Sequence, residues 1–332
     1  MQIRRPAYFD EFSCIASACP DSCCKEWDVQ VDDSAAAYYQ ALPGALGDRL
    51  RQVMYEEDGT WYFAIEPDGR CPMWRDDRLC RIQAEQGEQA LCKTCREFPR
   101  LTHDYGDFVE RGLELSCPEA ARLILAAEPM NWLTEEREGG QAEYDEEAMS
   151  VLLHCREKAL DIISDGGYSV AEALALLLIH GYQAQQWLDE GEPVEFQTDA
   201  ALETARDLAC EPDGEELTAF FRDLEILTGA WKDRLEGGWR GGALPEQCRA
   251  MARYFVERYY LQAVSDYDLV GRVKLTIVSC LLVAGLGGDF VQTAQAYSKE
   301  IENSIDNVEA ILDGAYTSPA LTDAKLLGLL LK

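Results

Sequence analysis

Nine of the chain's thirteen cysteines fall between positions 14 and 117, and their spacing is that of metal ligands. The pattern runs Cys14-x4-Cys19-x3-Cys23-Cys24, then Cys71-x8-Cys80-x11-Cys92-x2-Cys95, and ends at Cys117. Thiolates are soft ligands that suit zinc and iron–sulfur clusters. Ligands close in sequence cost little loop entropy to gather. Cys92-x2-Cys95 is a chelating turn that sets two sulfurs on one tight loop. Proline follows Cys71 and Cys117, a step found beside iron–sulfur ligands. Structural zinc sites often use two Cys-x2-Cys knuckles, and only one is present here, which favours iron–sulfur and keeps zinc as the alternative. In a reducing compartment such a cluster reads as metal-binding before disulfides. Four thiols suffice for one cluster, so the remainder hold a second metal or pack as small apolar residues. Cys23 and Cys24 are adjacent, and consecutive side chains are expected to point apart, so that only one serves a given site.

Few other residues compete. The chain has three histidines. His103 follows the cysteines closely enough to be a ligand or base, although a structural role is the default; His154 and His180 fall within helical patterns and read as packing residues. Asp104 and Tyr105 are further base candidates. No serine sits in a Ser–His–acid pattern, so hydrolase chemistry has no support.

The elements that must position these residues change character near Glu128-Pro129. Residues 1–127 read as an irregular cysteine-rich metal-binding region with a few short strands. Trp61 to Ile65 and Phe108 to Leu115, the latter interrupted by Gly112, read as strands; Asp76 to Glu88 and Pro118 to Ala127 read as short helices. Residues 128–332 read as an all-helical domain, making the fold mainly α. Met149, Leu152, Leu153, Leu160 and Ile163 share one helical face, and Val170 to Gly181 continues the pattern. Asp213 is placed to cap a helix reaching about Leu235. Gly237 to Gly242 breaks the chain, helices follow from Met251 and over Leu269 to Ala284, and Ser318-Pro319 opens a last helix.

Composition narrows the partners. The 332 residues carry a formal charge of −31, and 47% are hydrophobic, enough for a sizeable core. No cluster of Lys and Arg suits nucleic-acid phosphates. The apolar run Leu275 to Leu286 is short for a bilayer span, so no transmembrane segment is expected. The start Met1-Gln2-Ile3-Arg4-Arg5-Pro6 has no apolar signal core, and a cytoplasmic location is the default. Oligomeric state leaves no trace in the sequence.

Several segments together resemble the flagellin lysine-N-methylase family. They are Pro6-x-Tyr8-x3-Phe12-x-Cys14, Cys19-x-Asp21-x-Cys23-Cys24-x2-Trp27, Gly69-x-Cys71-Pro72 and Leu79-Cys80-x-Ile82, followed by Leu91-Cys92-x-Thr94-Cys95-x2-Phe98-Pro99-Arg100 and Leu115-Ser116-Cys117-Pro118-Glu119-Ala120-Ala121-Arg122-Leu123. They cover about the first 125 residues. Part of the pattern is also similar to small cysteine-rich zinc- or iron-chelating proteins. The resemblance implies methyl transfer to flagellin lysines, S-adenosylmethionine as donor, a [4Fe–4S] cluster in the cysteine-rich part, and a bacterial cytosol as the setting. Neither a Gly-rich strand-to-helix loop nor a Cys-x3-Cys-x2-Cys triplet is present, so a donor site must lie outside those patterns. Within the resembling segments, Asp21 is expected to turn the cysteine loop. Arg100, Glu119 and Arg122 are expected to frame the centre with ion pairs.

Overall fold

The computed structural model describes residues 1–25, 29–128, 132–193 and 195–332. Among the described residues, seven short strands form two sheets. β1 (Gln2–Pro6), β5 (Arg100–Asp104), β6 (Phe108–Leu113) and β7 (Trp132–Glu136) make a four-stranded sheet in the order β5-β6-β1-β7. Only β1 and β6 run parallel, so the sheet is mixed. β2 (Gln30–Val31), β3 (Met54–Glu57) and β4 (Thr60–Phe63) make a second, antiparallel sheet in the order β2-β4-β3. Helices make up most of the remaining described structure, and the fold is mainly α.

The expected strands at Trp61 and Phe108 are β4 and β6, and the helix expected from Pro118 is Pro118–Ala126. Other elements differ from expectation for local reasons. The N-terminal third is less irregular than composition suggests, because Asp33–Ala41 and Gly44–Val53 are helices. Asp32 caps the first by accepting from the Ala35 amide at 3.1 Å. The span Asp76 to Glu88 is helical only over Arg81–Gln86, since Arg78 takes a left-handed φ of 66° in a tight turn ahead of it. Past residue 127 the chain is not all-helical: β7 pairs with β1. The helix capped by Asp213 stops at Arg222, and another begins at Gly229. Between them Asn307 and Glu300 take the Glu225 and Leu227 amides at 3.0 and 2.7 Å, replacing helical partners with tertiary ones.

Two apolar cores follow. The larger draws side chains from Tyr8 and Phe12, through β6 and Pro118–Ala126, to Leu330. Its axis is the helix Leu269–Leu286, long and apolar enough to cross a membrane by composition, yet 94% buried inside the fold. That helix packs on Val170–Glu190, Gln247–Tyr259 and Ile305–Thr317. Lys274 is buried in it and donates to the Ala315 and Leu321 carbonyls at 2.7 and 3.2 Å. It thereby satisfies backbone groups where the neighbouring helix ends. The smaller core gathers Val29, Tyr39, Leu50, Phe63 and Met73 between the second sheet and its two helices.

Trp239 explains two glycines. A Cβ built on Gly214 or Gly285 falls 2.0 or 1.9 Å from the indole, so two helices close on it only because neither residue has a side chain. The Gly285 carbonyl accepts from the Arg240 amide at 2.8 Å, fixing the loop that carries the indole. Gly285→Ala is expected to destabilise the chain by about 1–3 kcal/mol through overpacking, with part of the loss recovered in a Gly285→Ala/Trp239→Ala double variant, read from urea denaturation midpoints.

A second buried constraint ties β6 to the helix Glu146–Ser164. Arg156 donates two hydrogen bonds of 2.7 Å to the Glu110 carboxylate, with both side chains almost fully enclosed. Removing one partner strands the other charge. Arg156→Met should therefore cost about 3–5 kcal/mol, and adding Glu110→Leu should return most of it, as measured by the same denaturation experiment.

Candidate functional site

The cysteines are drawn together by backbone contacts. The Cys71 amide donates to the Cys24 carbonyl at 2.7 Å, and Trp74 forms a bridge with Cys80, so these loops run side by side. Cys92 caps the short helix Lys93–Glu97 that carries Cys95, and the Lys93 amide donates to Asp32 at 2.6 Å. Cys24, Cys71, Cys80, Cys92 and Cys95 all line the smaller core. Tyr39, fully buried there, donates its hydroxyl to the Ala90 carbonyl at 2.7 Å just ahead of Cys92.

All thirteen cysteines are free thiols. Among the described residues, no three His, Cys, Asp or Glu side chains stand close enough together to grip a metal ion as they are. The thiols nevertheless sit within each other's electrostatic reach in two groups. Cys71 feels Cys80, Cys92 and Cys23, and Cys95 feels Cys92, Cys24 and Cys71. Cys19 feels Cys14 and Cys23, and Cys117 feels Cys19 and Cys23. Cys23 belongs to both groups. Adjacent Cys23 and Cys24 do not point apart: their side chains share a hydrogen bond, which raises the Cys23 thiol above its ordinary value.

Cys19, Cys23, Cys71, Cys80, Cys95 and Cys117 are all raised above the ordinary thiol value, and Cys92 is lowered. Burial pushes Cys71 up to about 12 and Cys117 up to about 11, and it raises Cys19 and Cys80 as well. Cys92 moves the other way, because Cys95 donates to its sulfur, and Cys95 is correspondingly held protonated. A soft cation would displace these protons, since metal binding to thiols requires the thiolate and supplies the charge that stabilises it. The donor set of soft, unbridged sulfurs therefore fits a thiophilic metal or cluster.

The helical body fixes where this region sits. Asp21, between Cys19 and Cys23, pairs with Lys299 at 3.0 Å and Lys25 at 3.3 Å. Burial alone would raise its carboxyl, but Lys299 outweighs that and holds it below the ordinary value. Gln295 donates to Asp21 at 3.2 Å and to the Ser116 carbonyl at 2.7 Å. Asp21 thus does more than turn its loop: it docks that loop on the helix Phe290–Ile301. Next to it, Arg258 pairs with Glu302 at 3.1 Å and donates to the Tyr254 hydroxyl at 2.6 Å. The Tyr254 hydroxyl also accepts from the Leu115 amide at 3.3 Å, two residues ahead of Cys117. Sequence reading missed Lys299, Arg258 and Glu302, because nothing local marks a helical charge as a tertiary clamp.

The expected frame of ion pairs is only partly present. Arg122 does bind Glu119, at 2.6 and 2.9 Å, on an exposed surface. Arg100 instead lies over the Phe12 ring, 5.2 Å from its centroid. Trp27 lies outside the described residues. His103 answers electrostatically to Arg258, Glu110 and Arg156 rather than to any thiol. It lines a separate cleft with Tyr8, Tyr254 and Glu257, another residue the sequence reading did not single out. Tyr105 packs on Phe108 with centroids 4.7 Å apart, and burial pushes its hydroxyl above the ordinary range, which suits packing rather than base chemistry. Asp104 accepts from the Gly106 amide at 2.9 Å and shapes the β5–β6 turn.

Comparison with known proteins gives the geometry a lineage. Over 129 residues the chain is 36% identical to the flagellar biosynthetic protein FliU of Salmonella muenchen, a match spanning 37% of this chain and 76% of that protein. Over 129 residues it is likewise 36% identical to the lysine-N-methylases of Salmonella typhimurium and Salmonella choleraesuis, covering 32% of each. The match thus spans about a third of the methylases' length. No protein-family model matches the chain, and no solved structure does. With more than two thirds of FliU covered at this identity, the chain belongs to the family of FliU and the lysine-N-methylases.

Proposed function

We propose that the chain is a protein-lysine N-methyltransferase that acts on flagellin in the cytoplasm, takes its methyl group from S-adenosylmethionine, and carries a cysteine-ligated metal centre. The identity shared with two lysine-N-methylases carries this reading. The chemistry of the donor set supports its second half: nine unbridged thiols within electrostatic reach of one another in two groups. The centre would be a [4Fe–4S] cluster, with zinc as the alternative. Cys71, Cys80, Cys92 and Cys95 form one candidate quartet with Cys24 beside it. Cys14, Cys19, Cys23 and Cys117 form the other.

In this reading the metal centre supplies a cross-link among loops that own only a small apolar core, and its charge keeps the thiols ionised. The protein's own part is positional. Asp21 with Lys299, and Arg258 with Glu302, hold the cysteine loops against the helices. A second reading, a metal-binding accessory protein of flagellar assembly without turnover, draws on the fact that FliU is matched over most of its length and the methylases over a third.

Anaerobic purification followed by iron, sulfide and zinc analysis tests the centre. Iron and sulfide in equal amounts with broad absorbance near ~400 nm are expected for a [4Fe–4S] cluster; a colourless protein holding only zinc selects the alternative, and a metal-free one removes both. Cys92→Ser and Cys95→Ser should each lose most of the bound metal, while Cys155→Ser and Cys248→Ser, whose thiols lie in the larger core, should retain it. Labelled methyl groups appearing on flagellin lysines support the transferase; metal retained without any transfer supports the accessory role.

A further inference from the structure

The cleft beneath β5 and β6 holds an unusual set of groups. It is lined by Tyr8, Leu101, His103, Arg111, Trp132 and Glu257 among others. Two buried polar atoms of its lining side chains have no hydrogen-bond partner among the described residues: Glu257 Oε1 and His103 Nε2. Unpartnered buried polar atoms are uncommon in folded proteins, and two in one cleft point to a ligand that completes them. Its atom-free space, open solvent included, is about 350 Å³, of which about 30 Å³ admits the centre of a water-sized molecule. That space takes roughly two or three heavy atoms, the tip of a slim chain and not a nucleoside. The walls offer apolar surface from Leu101, Tyr8 and Trp132, which suits a methylene stem. Of the lining groups that can accept, Glu110 is taken by Arg156 and the Tyr254 hydroxyl by Arg258 and Leu115, which leaves the Glu257 carboxyl, the His103 imidazole and the Tyr8 hydroxyl to meet an ammonium end.

One residue keeps the cleft open. Gly112 lies opposite Leu101 in the β5–β6 register, on the same face, and a Cβ built on it meets nothing within 4 Å. The glycine that interrupts the β6 pattern therefore leaves vacant the volume a side chain would fill.

We propose that this cleft receives the ε-ammonium end of a substrate lysine, with Glu257 and His103 holding it and Glu257 accepting its proton. The proposal rests on the methyltransferase reading for its chemistry. The proton leaves Nζ for the Glu257 carboxylate. The freed lone pair forms the N–C bond to the methyl group of a sulfonium donor, the S–C bond breaks, and its electron pair stays on sulfur as a thioether. The surroundings tune the base. Burial raises the Glu257 carboxyl to about 8, against the opposing pull of Arg156 and Arg253 and with help from Glu110. That places it near working pH, where a general base is most effective. Burial also lowers His103, as do Arg258 and Arg156, against Glu110, so its imidazole stays neutral.

The test uses the full chain, two variants and two probes. Nα-acetyl-lysine amide should bind at least about tenfold more tightly than the norleucine amide, which has the stem without the ammonium. Glu257→Gln and Gly112→Leu should each weaken lysine-amide binding by at least about tenfold. Methyl transfer should fall about 100-fold in Glu257→Gln and lose its rise toward pH 8. A fold check is built in. The folded chain keeps a Glu257 proton that the unfolded chain releases above about 4.5, so stability falls as pH rises from there to about 8. Glu257→Gln should abolish that fall and melt no lower than the parent at pH 8. If transfer proceeds and both variants bind and react like the parent, the cleft holds water only and the proposal is overturned while the transferase reading stands. If lysine amide binds through Glu257 but no methyl is transferred, the lysine site stands and the transferase reading falls.

Discussion

The arrangement depends on buried charge at the seam between the cysteine loops and the helices. Arg258 and Glu302 face each other inside the fold, with the hydroxyls of Tyr254 and Tyr259 satisfying the remaining lone pairs at 2.9 to 3.1 Å. Such a pair is a poor source of net stability, because desolvation offsets most of the attraction. Its value is geometric. A carboxylate that needs several donors at once accepts only one docking of the segments that supply them. Tyr254 extends the same network to the Leu115 amide, which sets the approach to Cys117. Lys299 reaches Asp21 from the helix that precedes Glu302, and so sets the approach to Cys19 and Cys23.

This seam answers a problem of size. The smaller core contains few large apolar side chains, and several of its members are cysteines. A unit of that size buries too little surface to order its own loops, and small scaffolds commonly add a metal or disulfides for that reason. Here no disulfide forms. The loops are instead ordered from outside, by charged contacts from helices far along the chain. That leaves the sulfurs free to be chosen for chemistry rather than for covalent bracing.

What was legible in the sequence follows the range of the interactions. Helices with a clear apolar stripe or cap, such as Val170–Glu190 with its Ser169–Glu172 capping box, are written locally. So are β4 and β6, which carry aromatic and β-branched residues beside turn signals. β1 and β7 are not: β7 exposes most of its residues, and only its partner β1 makes it a strand. The break after Arg222 has the same origin, since Asn307 and Glu300 lie some eighty residues away in the chain. The candidate centre was legible as a set of thiols, because spacing is a local property. Its division into two groups that meet at Cys23 was not, and neither was the cleft, whose Glu257 sits in an ordinary helical pattern. A carboxyl's ionisation depends on what surrounds it in space.

The two candidate sites are therefore joined by structure rather than by proximity in sequence. β5 begins five residues after Cys95 and carries His103 into the cleft. The Gln247–Tyr259 helix carries Glu257 and Arg258 on consecutive residues; both line the cleft, and Arg258 also reaches the seam through Glu302. A rigid helix carrying both cannot move one without the other. Leu115, two residues ahead of Cys117, is hydrogen-bonded to Tyr254, and Tyr254 also lines the cleft. The thiol loops and the cleft thus share the strand and helix between which the cleft is formed, so the geometry of one is set together with that of the other.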